Sequence, residues 1–164
     1  MTDWIADLIR RYSSRGVLVD TNILLLLVVG SLDRQRIPGF KRTSQFTVED
    51  YDVLVRVLTG FKKIITTPCI LCEVSNLSAQ IKAPVKTELF RRLAATIAVL
   101  DEQYVRSDTA AGHSSFSRLG LTDAGILYLS RGNYLVLTAD LDLYLSLQKE
   151  GIDAVNFRHL RPFS

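Results

Sequence analysis

Four acidic residues stand where apolar segments meet helical ones: Asp20 in "LVDTNILL", Glu73 in "TTPCILCEVSNL", Asp123 in "LTDAGIL" and Asp140 in "VLTADLDL". Asp142 follows shortly after the last of them. A carboxylate beside a buried strand is costly unless a cation or a metal pairs with it. Several carboxylates brought together repel, and at least one takes up a proton unless a cation offsets them. Hard oxygen donors with no His or Cys among them suit Mg²⁺ or Mn²⁺ rather than zinc. Such a set supports metal-assisted hydrolysis of phosphate esters, in which metal activates water and stabilises the leaving oxygen.

The elements that must position these acids follow from the patterning. An amphipathic helix over about 3–13 precedes "GVLVD", a short strand apolar on both faces, as in a parallel sheet. "TNILLLLVVG" reads as a helix closed by Gly30. "SLDRQRIPGFKRTSQF" reads as a polar, basic loop with a Pro-Gly turn. Thr47 and Asp50 form a capping-box-like helix start. "KIITTP" is a second strand, followed by helices on either side of a break at Pro84. "EQYVRS" suggests a short edge strand, and "SRLGLTDAGILYLSRG" a helix capped by Thr122 and closed by Gly132. "YLVLTAD" is a strand, "LDLYLSLQKEG" a helix and "DAVNF" a last strand.

Alternation of strand and helix predicts an α/β fold: a three-layer α/β/α sandwich around a mostly parallel sheet of four to five strands. Residues 1–15 are expected to form an N-terminal helical extension and 16–164 a single domain. In such sheets the ligand site lies beyond the carboxyl ends of the strands. Asp20, Glu73, Asp123 and Asp140 are all expected near that edge.

Composition sets the frame. The 164 residues suit one hydrophobic core, and 48% hydrophobic with 23% charged residues is ordinary for a globular chain. A net charge of +3 permits a polyanionic partner without demanding one. Two cysteines are too few for a disulfide scaffold. The first residues lack the apolar core of a secretory signal, and the run from Ile23 to Val29 is too short to span a membrane. A cytoplasmic setting is expected.

In order and approximate spacing, "LVDTNILL", the Glu after the second strand, "LTDAGIL" and the T-x-D of "VLTADLDL" resemble PIN-domain proteins, most closely the small bacterial ones, many of them VapC-type toxins. The resemblance covers roughly residues 16–157. It implies that Asp20, Glu73, Asp123 and Asp140 are the catalytic, metal-binding acids, that Asp142 is a further acidic position, and that Asn22 and Thr138 support the first and last aspartates. It also implies Mg²⁺- or Mn²⁺-dependent endoribonuclease activity leaving 5′-phosphates, a homodimer, and an inhibitory antitoxin partner in a toxin–antitoxin pair. The N-terminal helix and the basic loop are extra relative to compact VapC-type toxins. Asp20→Asn is expected to abolish cleavage with the fold intact, and to stabilise the metal-free protein by relieving repulsion.

Other residues carry weaker signals. Arg34, Arg36, Lys41 and Arg42, with Phe40 and Phe46 nearby, are candidates to grip RNA, or else a solvated loop. His113, in a Gly/Ser-rich approach to Asp123, is a candidate substrate contact or an ordinary loop histidine. Cys69 and Cys72 form C-x-x-C but lack the framing of a redox pair and the extra ligands of a zinc site. Two further functions compete with the nuclease. One is a non-catalytic PIN-type module binding RNA or protein. The other is a haloacid-dehalogenase-type phosphatase, which needs a second Asp where this chain has Asn22.

Overall fold

The computed structural model describes residues 3–161. Residues 1–2 and 162–164, the outermost parts of the expected 1–15 and 16–164 divisions, lie outside them. Helix α1 (Asp3–Tyr12) leads into strand β1 (Val17–Val19), then α2 (Thr21–Leu32), α3 (Val48–Leu58) and β2 (Ile64–Thr66). Next come α4 (Pro68–Ser78), α5 (Val85–Ile97) and β3 (Asp101–Glu102). Three helices follow, α6 (Ser107–Ala111), α7 (Phe116–Leu119) and α8 (Leu121–Ser130), before β4 (Leu135–Thr138), α9 (Leu141–Lys149) and β5 (Ala154–Asn156).

The five strands form one sheet in the order β3-β2-β1-β4-β5, and every pairing is parallel. From β1 the chain winds outward through β2 to β3, then crosses back and winds the other way through β4 to β5. Right-handed crossovers put the two sets of connecting helices on opposite faces. The result is a three-layer α/β/α sandwich. Its winding reverses between β1 and β4, the place where open parallel sheets leave a crevice beyond the strand ends.

The hydrophobic run that follows Asp20 is explained by burial. Helix α2 is apolar all round because Ile23 to Leu26, Val28 and Val29 are fully buried among α3, α4 and α5. Each such aliphatic side chain contributes about 1.5–3 kcal/mol on leaving water. Strands β1 and β4 are buried along their whole length, which is why neither shows an alternating pattern. Helix α1 shares the same core through Ile5, Leu8 and Tyr12, so the expected extension is packed on the domain. The edge of the Trp4 ring meets His159 at 6.2 Å between centroids.

Several local expectations are corrected. Gly30 does not close α2, which runs on to Leu32. A Cβ at Gly30 would lie 2.1 Å from the Tyr51 ring, so glycine is there to let α3 approach. Gly30→Ala is therefore expected to cost about 3 kcal/mol by overpacking, read as a lower urea midpoint. An unchanged midpoint would contradict this close approach.

The segment 31–46 is not a solvated loop. It contains a 3-10 turn at Arg34–Arg36, and Ile37, Phe40, Thr43 and Phe46 are buried at intervals of three. The Thr43 hydroxyl donates to the Ile37 carbonyl at 2.8 Å, and the Phe46 ring meets Phe157 edge-on. The capping box of α3 is present as expected, and Asp50 in it also takes two hydrogen bonds from Arg161. Strand β3 begins at Asp101, ahead of the expected "EQYVRS", and stops after two residues. Cys69 is half-buried and Cys72 exposed, both as free thiols. Among the described residues no helix is long and apolar enough to cross a membrane.

Candidate active site

Asp20 ends β1 and caps α2, with its Oδ1 accepting the Ile23 N–H at 2.8 Å. Its Oδ2 accepts the Ala139 N–H at 3.0 Å and the Thr138 hydroxyl. The same Thr138 oxygen accepts the Asp140 N–H at 2.9 Å. Asp140 in turn caps α9, accepting the Leu143 N–H at 3.0 Å. Two adjacent strand ends thus place two aspartates side by side at the point where the winding reverses. Thr138 is the pin that joins them.

Glu73 approaches from α4 across the crevice. Its Oε2 accepts the Thr21 hydroxyl at 2.7 Å and its Oε1 the Thr122 hydroxyl at 2.6 Å. The carboxylate thereby ties the start of α2 to the start of α8. This corrects the expected role of Thr122: α8 begins at Leu121 after Gly120, no side chain caps it, and the Thr122 hydroxyl serves Glu73 instead. Gly120 has φ of 85°, a backbone that a glycine adopts without strain. The threonine hydrogen bonds were not legible in the sequence, because they join residues about fifty apart.

Asp123 completes the group and is the least supported of the four. Burial, then the charges of Asp140, Asp20 and Glu73 in that order, push its carboxyl up to about 7. No hydrogen bond offsets them. Burial also raises the Asp20 carboxyl, against the lowering effect of its three donors. Asp20, Asn22, Glu73, Asp123 and Asp140 line one cleft of about 240 Å³, together with Thr21, Thr122 and the apolar edge of α7. No lysine, arginine or histidine lines it.

The donor set therefore fits a hard divalent cation: oxygen only, close enough to repel, and without a protein cation to offset it. Among the described residues, no three His, Cys, Asp or Glu side chains converge on one point as a ready-made cage. Each Glu73 oxygen accepts one threonine hydroxyl. Magnesium keeps several waters and is commonly held by one or two carboxylates, so a closed cage is not required.

The remaining candidates lie elsewhere. Asn22 lines the cleft but makes no side-chain hydrogen bond to the aspartates it was expected to support. Asp142 is exposed on α9 outside the cleft. Arg34, Arg36, Lys41 and Arg42 follow the far end of α2, about 18 Å along that helix from Asp20. There Arg34 pairs with Asp52, Arg36 with Asp33, and Arg42 donates to Gln80. His113 lines a different cleft. Compared with family profiles, curated proteins and solved structures, the chain has no significant match.

Proposed function

We propose that this chain is a metal-dependent endoribonuclease of the PIN type, hydrolysing RNA phosphodiester bonds with Mg²⁺ or Mn²⁺. One observation carries the reading: four carboxylates from four separate segments line a single cation-free cleft where the sheet reverses its winding. By the resemblance of its motifs, the proposal extends to an inhibitory antitoxin, a homodimer and a cytoplasmic setting.

Asp20, Asp123 and Asp140 would hold the ion, with Glu73 beside them. When bound, the ion supplies water activation and stabilises charge on the leaving oxygen. The chain's own contributions follow from the hydrogen bonds. Three donors clamp the Asp20 carboxylate, so it presents one fixed edge to the cleft. Thr138 fixes Asp140 relative to Asp20. Asp123, with no donor, is the acid whose charge most needs an offset. Glu73, held by hydroxyls at the exposed side, orients water and accepts its proton on the oxygen that Thr21 or Thr122 releases.

The test is cellular RNA incubated with the purified protein, with Mg²⁺ or Mn²⁺ and with chelator. Discrete metal-dependent fragments are expected, and Asp123→Asn is expected to lower the rate at least a hundredfold, the scale of losing one preorganised charge-stabilising group. Equal cleavage by the variant would remove Asp123 from the mechanism. Metal-independent binding without cleavage would favour the non-catalytic module.

A further inference from the structure

The acidic cleft offers a polyanion no cation of its own, so a phosphodiester strand must be gripped somewhere nearby. We propose that the cleft between α7 and α9 is that grip, binding the phosphate groups of single-stranded RNA beside the acidic cleft; this rests on the nuclease reading above.

This second cleft, about 480 Å³, is lined by His113, Arg118, Arg131, Lys149 and Glu150 with serine hydroxyls between them. His113 Nδ1 accepts the Ser115 N–H at 3.1 Å, which leaves the proton on Nε2, facing Glu150 at 3.3 Å. Arg131 also donates to Glu150, at 2.6 Å, so the one acid in the cleft is already neutralised. Arg118 is braced by a single neutral bond, to the Ser146 hydroxyl at 2.6 Å, and the rest of its guanidinium fork is uncommitted. Among the described residues, Lys149 has no ion-pair partner. Two cations are thus left for phosphates.

The position links this cleft to the acids. Helix α7 ends with Arg118 in one cleft and Leu119 in the other. Helix α9 is capped by Asp140 in the acidic cleft, and it carries Ser146 and Lys149 about 9 and 14 Å further along its axis. A strand with one phosphate at the acids lays its neighbours along α9. The basic loop, at the far end of α2, has no such continuity.

Binding of a short labelled oligoribonucleotide, followed by anisotropy in chelator, separates grip from cleavage. Arg118→Ala with Lys149→Glu is expected to weaken binding at least tenfold and to lower the log–log salt slope by about 1.4, near 0.7 for each phosphate no longer neutralised. Lys41→Glu, in the basic loop, is expected to leave both unchanged. Lys149→Glu alone keeps the test sound if loss of the Arg118–Ser146 bond disturbs folding. Unchanged affinity in Lys149→Glu and in the double variant overturns the proposal. So does complete competition by millimolar inorganic phosphate, which would make the ligand a free anion. Cleavage with an unchanged KM in these variants overturns the grip and leaves the nuclease standing. Grip-dependent binding with no cleavage under either metal overturns the nuclease and supports the grip.

Discussion

Asp123→Asn is expected to stabilise the metal-free protein at pH 8 by about 2–4 kcal/mol, raising its melting temperature by roughly 5–10 °C. The sign follows from linkage. The folded carboxyl sits at about 7, above its ordinary value of 3.8, so the folded state holds a proton that the unfolded state has released. Below about pH 4 both states are protonated and the site carries no penalty. Between about 4 and 7 the penalty grows, and above 7 it is complete. Asparagine is neutral and nearly isosteric, and no hydrogen bond is lost because Asp123 accepts none among the described residues. Urea unfolding at pH 5 and pH 8 measures both ends. The wild type should lose stability over that interval and the variant should lose much less, retaining only the same-signed contribution of the raised Asp20. A variant less stable than wild type at pH 8 would contradict the assigned environment of Asp123.

Asp20→Ala is expected to do the opposite, costing about 3–5 kcal/mol and abolishing cleavage. Here three hydrogen bonds are lost. The cap of α2 goes, typically worth about 1 kcal/mol, and the half-buried Ala139 N–H and the buried Thr138 hydroxyl lose their acceptor at about 1–3 kcal/mol each. Asp20→Asn is not neutral either. An amide presents one oxygen, so its NH₂ must face either the Ile23 or the Ala139 N–H. The stabilisation expected from relieving repulsion at Asp20 therefore belongs to Asp123. Chemical denaturation of the two Asp20 variants checks this ranking, with Asn the milder. An Asp20→Asn protein as stable as wild type would show that the clamp contributes little.

The sequence was most informative where a local rule and a long-range requirement coincide. Short apolar strands alternating with helices can satisfy their backbones in few ways, so the parallel sheet and its covering helices were legible. The Thr47–Asp50 capping box spans one helical turn and was legible for the same reason. Asp20 and Asp140 were legible because a parallel sheet delivers its strand ends to one edge, which Glu73 and Asp123 reach from α4 and the first turn of α8. What escaped was set by partners distant in the chain. Gly30 carries a helix-stop signal, yet its reason is the Tyr51 ring. Thr122 reads as a cap, yet its hydroxyl serves Glu73. The Arg- and Lys-rich segment reads as loop, yet apolar anchors at Ile37, Phe40 and Phe46 sink it into the core. His113 precedes Asp123 by ten residues, but α7 intervenes and turns it to the other cleft.

The most direct test of the acidic cleft as a cation site is thermal unfolding at pH 7.5 with increasing Mn²⁺, for the wild type and for Asp123→Asn. A cation that binds only the folded state raises the melting temperature by mass action, and does so most where it relieves the repulsion around Asp123. A clear, chelator-reversible rise is predicted for the wild type, with a variant that starts higher and responds weakly. A wild type indifferent to Mn²⁺ and to Mg²⁺ at millimolar concentrations would contradict the assignment of this cleft.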